Sequence, residues 1–293
     1  MDFSSQLLQF FLSGLTLGGF YALVALGFVI IYNVSGIINF AQGEFVMLGA
    51  LLMVTLTKAG VPGAPAFVLA VLAVMVLGGA IERLAIRPAK NASIVTLIII
   101  TIGLSITIRG IALLIWGTDP YSLAPFTEGD PLTLAGATIM PQSLWVLAVT
   151  FLVVIAMYIF FEWTYWGKAV RACVINKLAA SLMGISTEKM SLYSFMFSAG
   201  IGALAGIVIT PTTSATYDMG LLLGLKGFIA AVLGGLTSAP GAVLGGFILG
   251  LTESFGAGLI SSGYKDAISF VILLVVLLIK PSGLFGVFGS KRV

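Results

Sequence analysis

Histidine is missing from all 293 residues, and cysteine occurs once, at Cys173. The first absence excludes Ser-His intramembrane proteases, His-Glu-x-x-His metalloproteases and any histidine-based proton relay or metal centre. The second excludes an intrachain disulfide and leaves Cys173 as a small core or interface thiol or, alternatively, a reactive one. Charge is also scarce, at 9% of residues against about 25% in soluble domains. A chain this poor in charge and 59% hydrophobic is a membrane protein. The start, Met1-Asp2-Phe3-Ser4-Ser5-Gln6, has no basic residue. The apolar run behind it continues well past the roughly 7–15 residues of a signal-peptide core, so it reads as a membrane segment and not as a cleaved leader. Gly234-Gly235 is not followed by Lys-Ser or Lys-Thr, which rejects a P-loop. No catalytic residue, cofactor, metal or nucleotide site of the chain's own is expected. The net charge of +3 comes from bases gathered in a few loops, a matter of membrane orientation and not of nucleic-acid binding.

What is present is a series of apolar runs, at about 7–31, 45–57, 65–84, 94–116, 144–161, 192–209, 227–251 and 267–279. They are too long for barrel strands and lack strand alternation, so the chain reads as an all-α polytopic membrane protein of about eight segments in one integral domain spanning 1–293. Arg83, Arg87 and Lys90 fall in one loop, Lys168, Arg171, Lys177 and Lys189 in another (162–190), and Lys280, Lys291 and Arg292 in the tail. The 117–142 loop holds Asp119, Glu128 and Asp130 and no base. These biases place the three basic regions and the C-terminus in the cytoplasm and the acidic loop outside; the first helix carries no charge bias of its own, and its N-terminus is expected outside. Trp116 and Tyr121 at the outer edge, and Trp163, Tyr165 and Trp166 at the inner one, fit interfacial aromatic belts.

With those sides fixed, the 227–251 region crosses an even number of times or not at all. Its centre, Thr237-Ser238-Ala239-Pro240-Gly241, is polar and helix-breaking. It reads as two half-helices meeting within the membrane or, alternatively, as a helical hairpin turning at one surface. The N-terminal half has a matching interruption. Residues 19–27 resemble residues 227–235, and Ala41-Gln42-Gly43 answers Ala239-Pro240-Gly241. An internal repeat with paired broken or re-entrant helices marks a translocation site in transporters, so Asn39, Gln42, Glu44, Ser238 and Pro240 are the pathway candidates.

Glu44 is the most informative ionisable residue, because no base stands nearer in sequence than Lys58. An uncompensated carboxylate at mid-membrane costs roughly 2.5 kcal/mol or more, so it should face a cavity or a donor. Two roles are open: lining a pore, and capping a half-helix whose N-terminus favours negative charge. Arg109, about two turns inside the outer end of its helix, either snorkels to the headgroups or pairs with an acid such as Glu253 or Asp218. The glycine pairs at spacing four, such as Gly14/Gly18 and Gly246/Gly250, read as helix-packing seams. In the 162–190 loop, Ala169, Val170, Ala172, Cys173 and Ile175 precede Leu178, Ala179, Leu182, Met183 and Ile185. That pattern suits a short helix docking to a partner's groove or one lying flat on lipid headgroups.

At this loop the sequence resembles a known family. Lys168-Ala169-Val170-Arg171-Ala172 followed by Leu178 to Ile185 is similar to the coupling loop of permease subunits of ABC importers, in which two alanines are followed four residues later by a glycine. "INFAQGEFVMLGA" from Ile38, "TIGLSI" from Thr101, "AAVLGGLTSAPGAVLGGFILGLTES" from Ala230 and "KPSGLFG" from Lys280 resemble the branched-chain amino-acid permeases of the LivH/LivM type, nearer to LivH. The resemblance implies a subunit of a bacterial inner-membrane importer that moves branched-chain or other hydrophobic amino acids by alternating access. It implies as partners a second permease, LivM-like or a second copy of this chain, two cytoplasmic ATPases that bind the ATP, and a periplasmic binding protein. Arg171, Ala179, Ala180 and Gly184 are the residues it implicates in coupling to the ATPases. Leu178 stands where the motif often begins with an acid, and Asn176 and Lys177 also depart from it.

An ion-coupled secondary transporter using Glu44 would not need a 29-residue loop with this motif, and an intramembrane enzyme lacks both histidine and a paired aspartate motif. Within the importer class, urea, short amides and aromatic acids are alternative substrates.

Overall fold

The computed structural model describes residues 2–286. Eleven α-helices order the described residues: α1 (Phe3–Ser35), α2 (Gln42–Lys58), α3 (Gly63–Ile81, continued by a π turn over Glu82–Ile86), α4 (Ile94–Trp116), α5 (Pro141–Trp163), α6 (Tyr165–Ile175), α7 (Lys177–Leu182), α8 (Thr187–Thr213), α9 (Met219–Gly234), α10 (Ala239–Leu259) and α11 (Lys265–Ile279). Seven of the described helices, α1, α3, α4, α5, α8, α10 and α11, are long and apolar enough to cross a membrane. The protein is therefore a multi-pass all-α membrane protein. α2 and α9, at 17 and 16 residues, are shorter.

The ends of the bundle sort by charge as the loops require. At one end Lys90 and Arg87 meet Glu188, and Val34 of α1 packs with Ala169, Val170, Cys173 and Ala180. At the other end Ser5 and Gln9 of α1 bond to Ala135 and Thr138, and Tyr121 pairs with Ala215 beyond the end of α8. The start of α1 thus shares a face with the acidic loop. Inside that loop lies a hairpin, β1 (Leu132–Leu134) against β2 (Ala137–Ile139). It turns at Ala135-Gly136, both with positive φ, as a two-residue hairpin requires. Lys291 and Arg292 lie outside the described residues; Lys280 sits at the basic end.

Two breaks shape the centre. α1 ends at Gly36, whose φ of 76° no β-carbon opposes, and residues 36–41 run without helix before α2 begins. α8 ends at Ser214, and residues 214–218 lead to α9 in the same manner. Each new helix opens with the same backbone bonds: Gln42 N to Asn39 O and Glu44 N to Ala41 O in one, Met219 N to Thr216 O and Leu221 N to Asp218 O in the other. The two starts touch. A β-carbon at Gly43 would overlap the Gly220 carbonyl, and Gly224 lies against the same spot. Ser105, at the midpoint of α4, and Ser198, near the midpoint of α8, are bonded to this junction, which sets it at the middle of the bundle.

The half-helices expected at Thr237–Gly241 are therefore found elsewhere. α9 and α10 form a hairpin whose turn lies at the basic end, where Asn33 Nδ2 donates to Thr237 O and the Leu284 and Phe285 amides bond to Leu233 and Gly234. Repeat pairing changes with it. α1 packs on α8, α9 and α10, while α8 packs on α1, α2 and α3. Exchanging α1 with α8, α2 with α9 and α3 with α10 maps one set onto the other. Since α1 and α8 run in opposite directions, the repeat is inverted, and the sequence likeness of 19–27 to 227–235 pairs the wrong helices.

Candidate translocation site and docking face

Burial in the middle of the bundle makes an unpartnered polar group costly. Gln42, fully buried, donates from Nε2 to Ser198 O (3.2 Å), and its Oε1 lies 2.7 Å from Ser198 Oγ, which also reaches Gly27 O at 2.8 Å. This knot ties the start of α2 to α8 and α1. Asn39 Oδ1 accepts from Ala41 N, closing the turn before α2; Asn39 Nδ2 has no hydrogen-bond partner among the described residues. Glu44, 1% exposed, stands in the first turn of α2 and accepts from Ser105 Oγ at 2.7 Å. Its second oxygen, also without a hydrogen-bond partner, lies beside Gly220 at the start of α9. The carboxylate is therefore held between two helix N-termini, whose free N–H groups and dipoles favour negative charge.

Beside this junction opens a cavity of about 260 Å³ between α4, α9 and the chain before α2, with Phe28, Phe40, Ser105, Ile106, Arg109 and Leu221 among its walls. Phe28 and Phe40 both pack on Phe228, with ring centroids 5.7 and 5.6 Å away. Thr101, Ser105 and Arg109 recur every four residues, which puts them on one face of α4. Thr101 Oγ1 accepts from Phe40 N, Ser105 holds Glu44, and Arg109 borders the cavity. That spacing in an otherwise apolar helix was the available signal for Ser105, which the motif reading passed over.

Ser238 and Pro240 do not join Asn39, Gln42 and Glu44. Ser238 caps α10, its Oγ accepting from Gly241 N at 3.0 Å, and both residues sit at the basic-end turn. Arg109 pairs with neither Glu253 nor Asp218. Glu253, fully buried, instead meets Lys226 Nζ at 2.7 Å, Lys265 Nζ at 3.1 Å, Tyr21 Oη and Ser269 Oγ. Lys226 also reaches Asp266 at 2.8 Å. This second polar cluster escaped the sequence reading because its members are scattered over four helices.

At the basic end, Thr164 caps α6 and Asn176 caps α7, its Oδ1 accepting from Ala179 N at 2.9 Å. Asn176, a departure from the family pattern, thus has a structural role. Gly184 follows α7 with φ 83°, donating to Ser181 O while Ile185 N donates to Ala180 O, a Schellman stop. Ala180 is buried against the core of the loop, whereas Ala179 and Gly184 are exposed. Arg171 is tied to Glu162 of its own chain. Leu178, Leu182 and Met183 are 72%, 80% and 83% exposed, an apolar row facing outward from the basic end. Burial pushes the Cys173 thiol above its ordinary range, with Lys177 acting weakly the other way.

Residues 10–277 match the family model described as branched-chain amino acid transport system / permease component. The chain is 36% identical to the high-affinity branched-chain amino acid transport system permease protein LivH of Escherichia coli, over 95% of each chain. It is 33% identical to the corresponding permease protein BraD of Pseudomonas aeruginosa, also over 95% of each. A more distant likeness, 27% over 88% of this chain and 81% of the other, is to the ribose import permease protein RbsC of Escherichia coli. With most of its length matched and its fold polytopic, this chain belongs to the permease-component family of branched-chain amino acid transport systems.

Proposed function

We propose that the chain is the membrane permease of an ATP-driven importer of branched-chain or similar hydrophobic amino acids, working by alternating access. The observation that carries the ATP-driven part is α7. It is a six-residue helix, capped at both ends, that presents Leu178, Leu182 and Met183 to the outside at the basic end of the bundle. Such a row loses less by entering a partner's groove than by facing water, at about 25 cal/mol per Å² of apolar surface. The basic end is then cytoplasmic, by the excess of Lys and Arg, with the acidic loop, its hairpin and the start of α1 in the periplasm of an inner-membrane protein. The partners are two ATPase subunits against α7, a second permease chain, and a periplasmic binding protein at the hairpin end. ATP binds to the partners, and the permease supplies the route and the moving helices.

The test is leucine uptake into proteoliposomes holding the permease, its ATPase partners and external binding protein, with ATP inside. Uptake that survives a protonophore and stops with a non-hydrolysable ATP analogue is expected. Uptake abolished by the protonophore and indifferent to ATP would overturn the reading in favour of an ion-coupled carrier using Glu44.

A further inference from the structure

We propose that the cavity between α4 and α9 is a passage subsite for a zwitterionic α-amino acid with an aliphatic side chain, in which Arg109 takes the carboxylate and Ser105, backed by Glu44, takes the ammonium. The proposal rests on the transport reading above and adds the substrate chemistry recognised inside the membrane.

The cavity is apolar except at two places one helical turn apart. Phe28, Phe40, Ile106 and Leu221 form hydrocarbon and aromatic walls, while Ser105 and Arg109 supply the polar groups from the same face of α4. Four residues of α-helix rise about 6 Å. The two groups can therefore each take one end of a single amino-acid backbone. Its volume of about 260 Å³ falls just under the roughly 300 Å³ lower bound of drug-sized sites, a scale suited to one small ligand.

The charges are balanced but not spent on each other. Arg109 is half-buried and makes no ion pair or hydrogen bond among the described residues. Glu44 is tied to Ser105 through one oxygen only. Ser105 gives its proton to that carboxylate, which leaves its own lone pairs for an ammonium donor and places a negative charge directly behind them. A dipolar ligand satisfies both ends. Urea carries neither charge, and an aromatic acid without an ammonium group leaves the Ser105 end unmatched. Electrostatic matching of this kind is stronger in a low-dielectric site than in water. The Phe28 and Phe40 rings, braced on Phe228, hold the apolar floor in place.

The experiment places a reporter on the wall. Ile106→Cys, in a Cys173→Ser background, is treated with a neutral water-soluble maleimide in membrane vesicles carrying the assembled transporter. Labelling is expected, and L-leucine at ten times its dissociation constant should slow it about tenfold by simple occupancy. 3-Methylbutylamine, which lacks the carboxylate, and 4-methylpentanoate, which lacks the ammonium, should protect far less. With each variant's leucine-protected rate taken relative to its own unprotected rate, Arg109→Gln should abolish leucine protection, and Arg109→Lys should restore part of it. Absence of labelling, equal protection by leucine and by either analogue, or full protection in Arg109→Gln would each overturn the subsite. If Arg109→Gln does not fold, the analogue comparison on Ile106→Cys alone decides. ATP-driven leucine uptake by the unaltered transporter reports separately on the function: uptake without protection overturns the subsite and leaves the function standing.

Discussion

At the scale of single residues, the centre of the molecule turns on Glu44 and on the glycine beside it. Glu44 is fixed by Ser105 beside the starts of α2 and α9; among the described residues its carboxylate bonds to no helix N–H and leaves one oxygen free of hydrogen bonds. Glu44→Ala is expected to reduce uptake on the order of tenfold, about the worth of the one charge-assisted hydrogen bond lost at Ser105, with a smaller effect on folded yield. Uptake per cell and fluorescence-detected size exclusion measure the two, and equal losses would assign Glu44 to capping alone. Gly43→Leu should behave in the opposite way. Its β-carbon would overlap the Gly220 carbonyl, and overpacking of this kind costs about 1–3 kcal/mol, so folded yield falls with uptake. Cys173 makes a third case. Its thiol is buried and its pKa raised by that burial, so less thiolate is present at pH 8 than in a free cysteine. Alkylation of the native protein is expected to lag far behind that of the denatured protein, and to accelerate only as pH rises above the ordinary thiol value; equal rates would contradict the packing of α6.

Elements carry the coupling prediction. α7 is too short to hold its shape by internal hydrogen bonds alone, and its stops do the work: Asn176 at the start, and Gly184 in the left-handed conformation at the end. Gly184→Arg should leave the bundle assembled, because nothing packs against that position, yet the left-handed backbone disfavours any β-carbon by about 1 kcal/mol. ATPase activity that no longer rises with transport, at normal membrane abundance, is the expected result; coupled uptake would count against α7 as the docking element. The spans themselves were legible in the sequence, since α4 and α11 coincide with their apolar runs, and so was the basic face. The half-helix α9 was not. The run reads from Gly227 with its break at Thr237–Gly241 and so starts eight residues inside α9, because the break before α9, Ser214 to Asp218, holds no proline or glycine. What marks that break is three-dimensional: the contact of Gly43 with Gly220, residues 177 positions apart. Glu44, by contrast, was legible because a carboxylate in apolar sequence is costly wherever it lies.

For the whole molecule, the inverted repeat sets two halves around the Gly43–Gly220 contact, but their polar content differs. The first half carries Glu44 at the junction, and the second carries the ion cluster of Lys226, Glu253, Lys265 and Asp266, which Tyr21 extends to α1 of the first half. The cluster's ion pairs join α9, α10 and α11 within the second half, and the hydrogen bond from Tyr21 Oη to Glu253 ties them to α1. Taking one member from a buried pair strands the other, at a cost of about 3–5 kcal/mol, while replacing both by apolar residues of similar volume is often neutral. Lys226→Met and Glu253→Leu are therefore each expected to lower the thermal unfolding midpoint of the purified protein in detergent. The double variant should recover most of the loss. Transport separates packing from movement: if the cluster only holds α9, α10 and α11 together, the double variant regains uptake with its stability, whereas a transporter that must open and re-form these pairs regains stability and stays slow. Unfolding midpoints that add across the two single variants would show that Lys226 and Glu253 are not coupled.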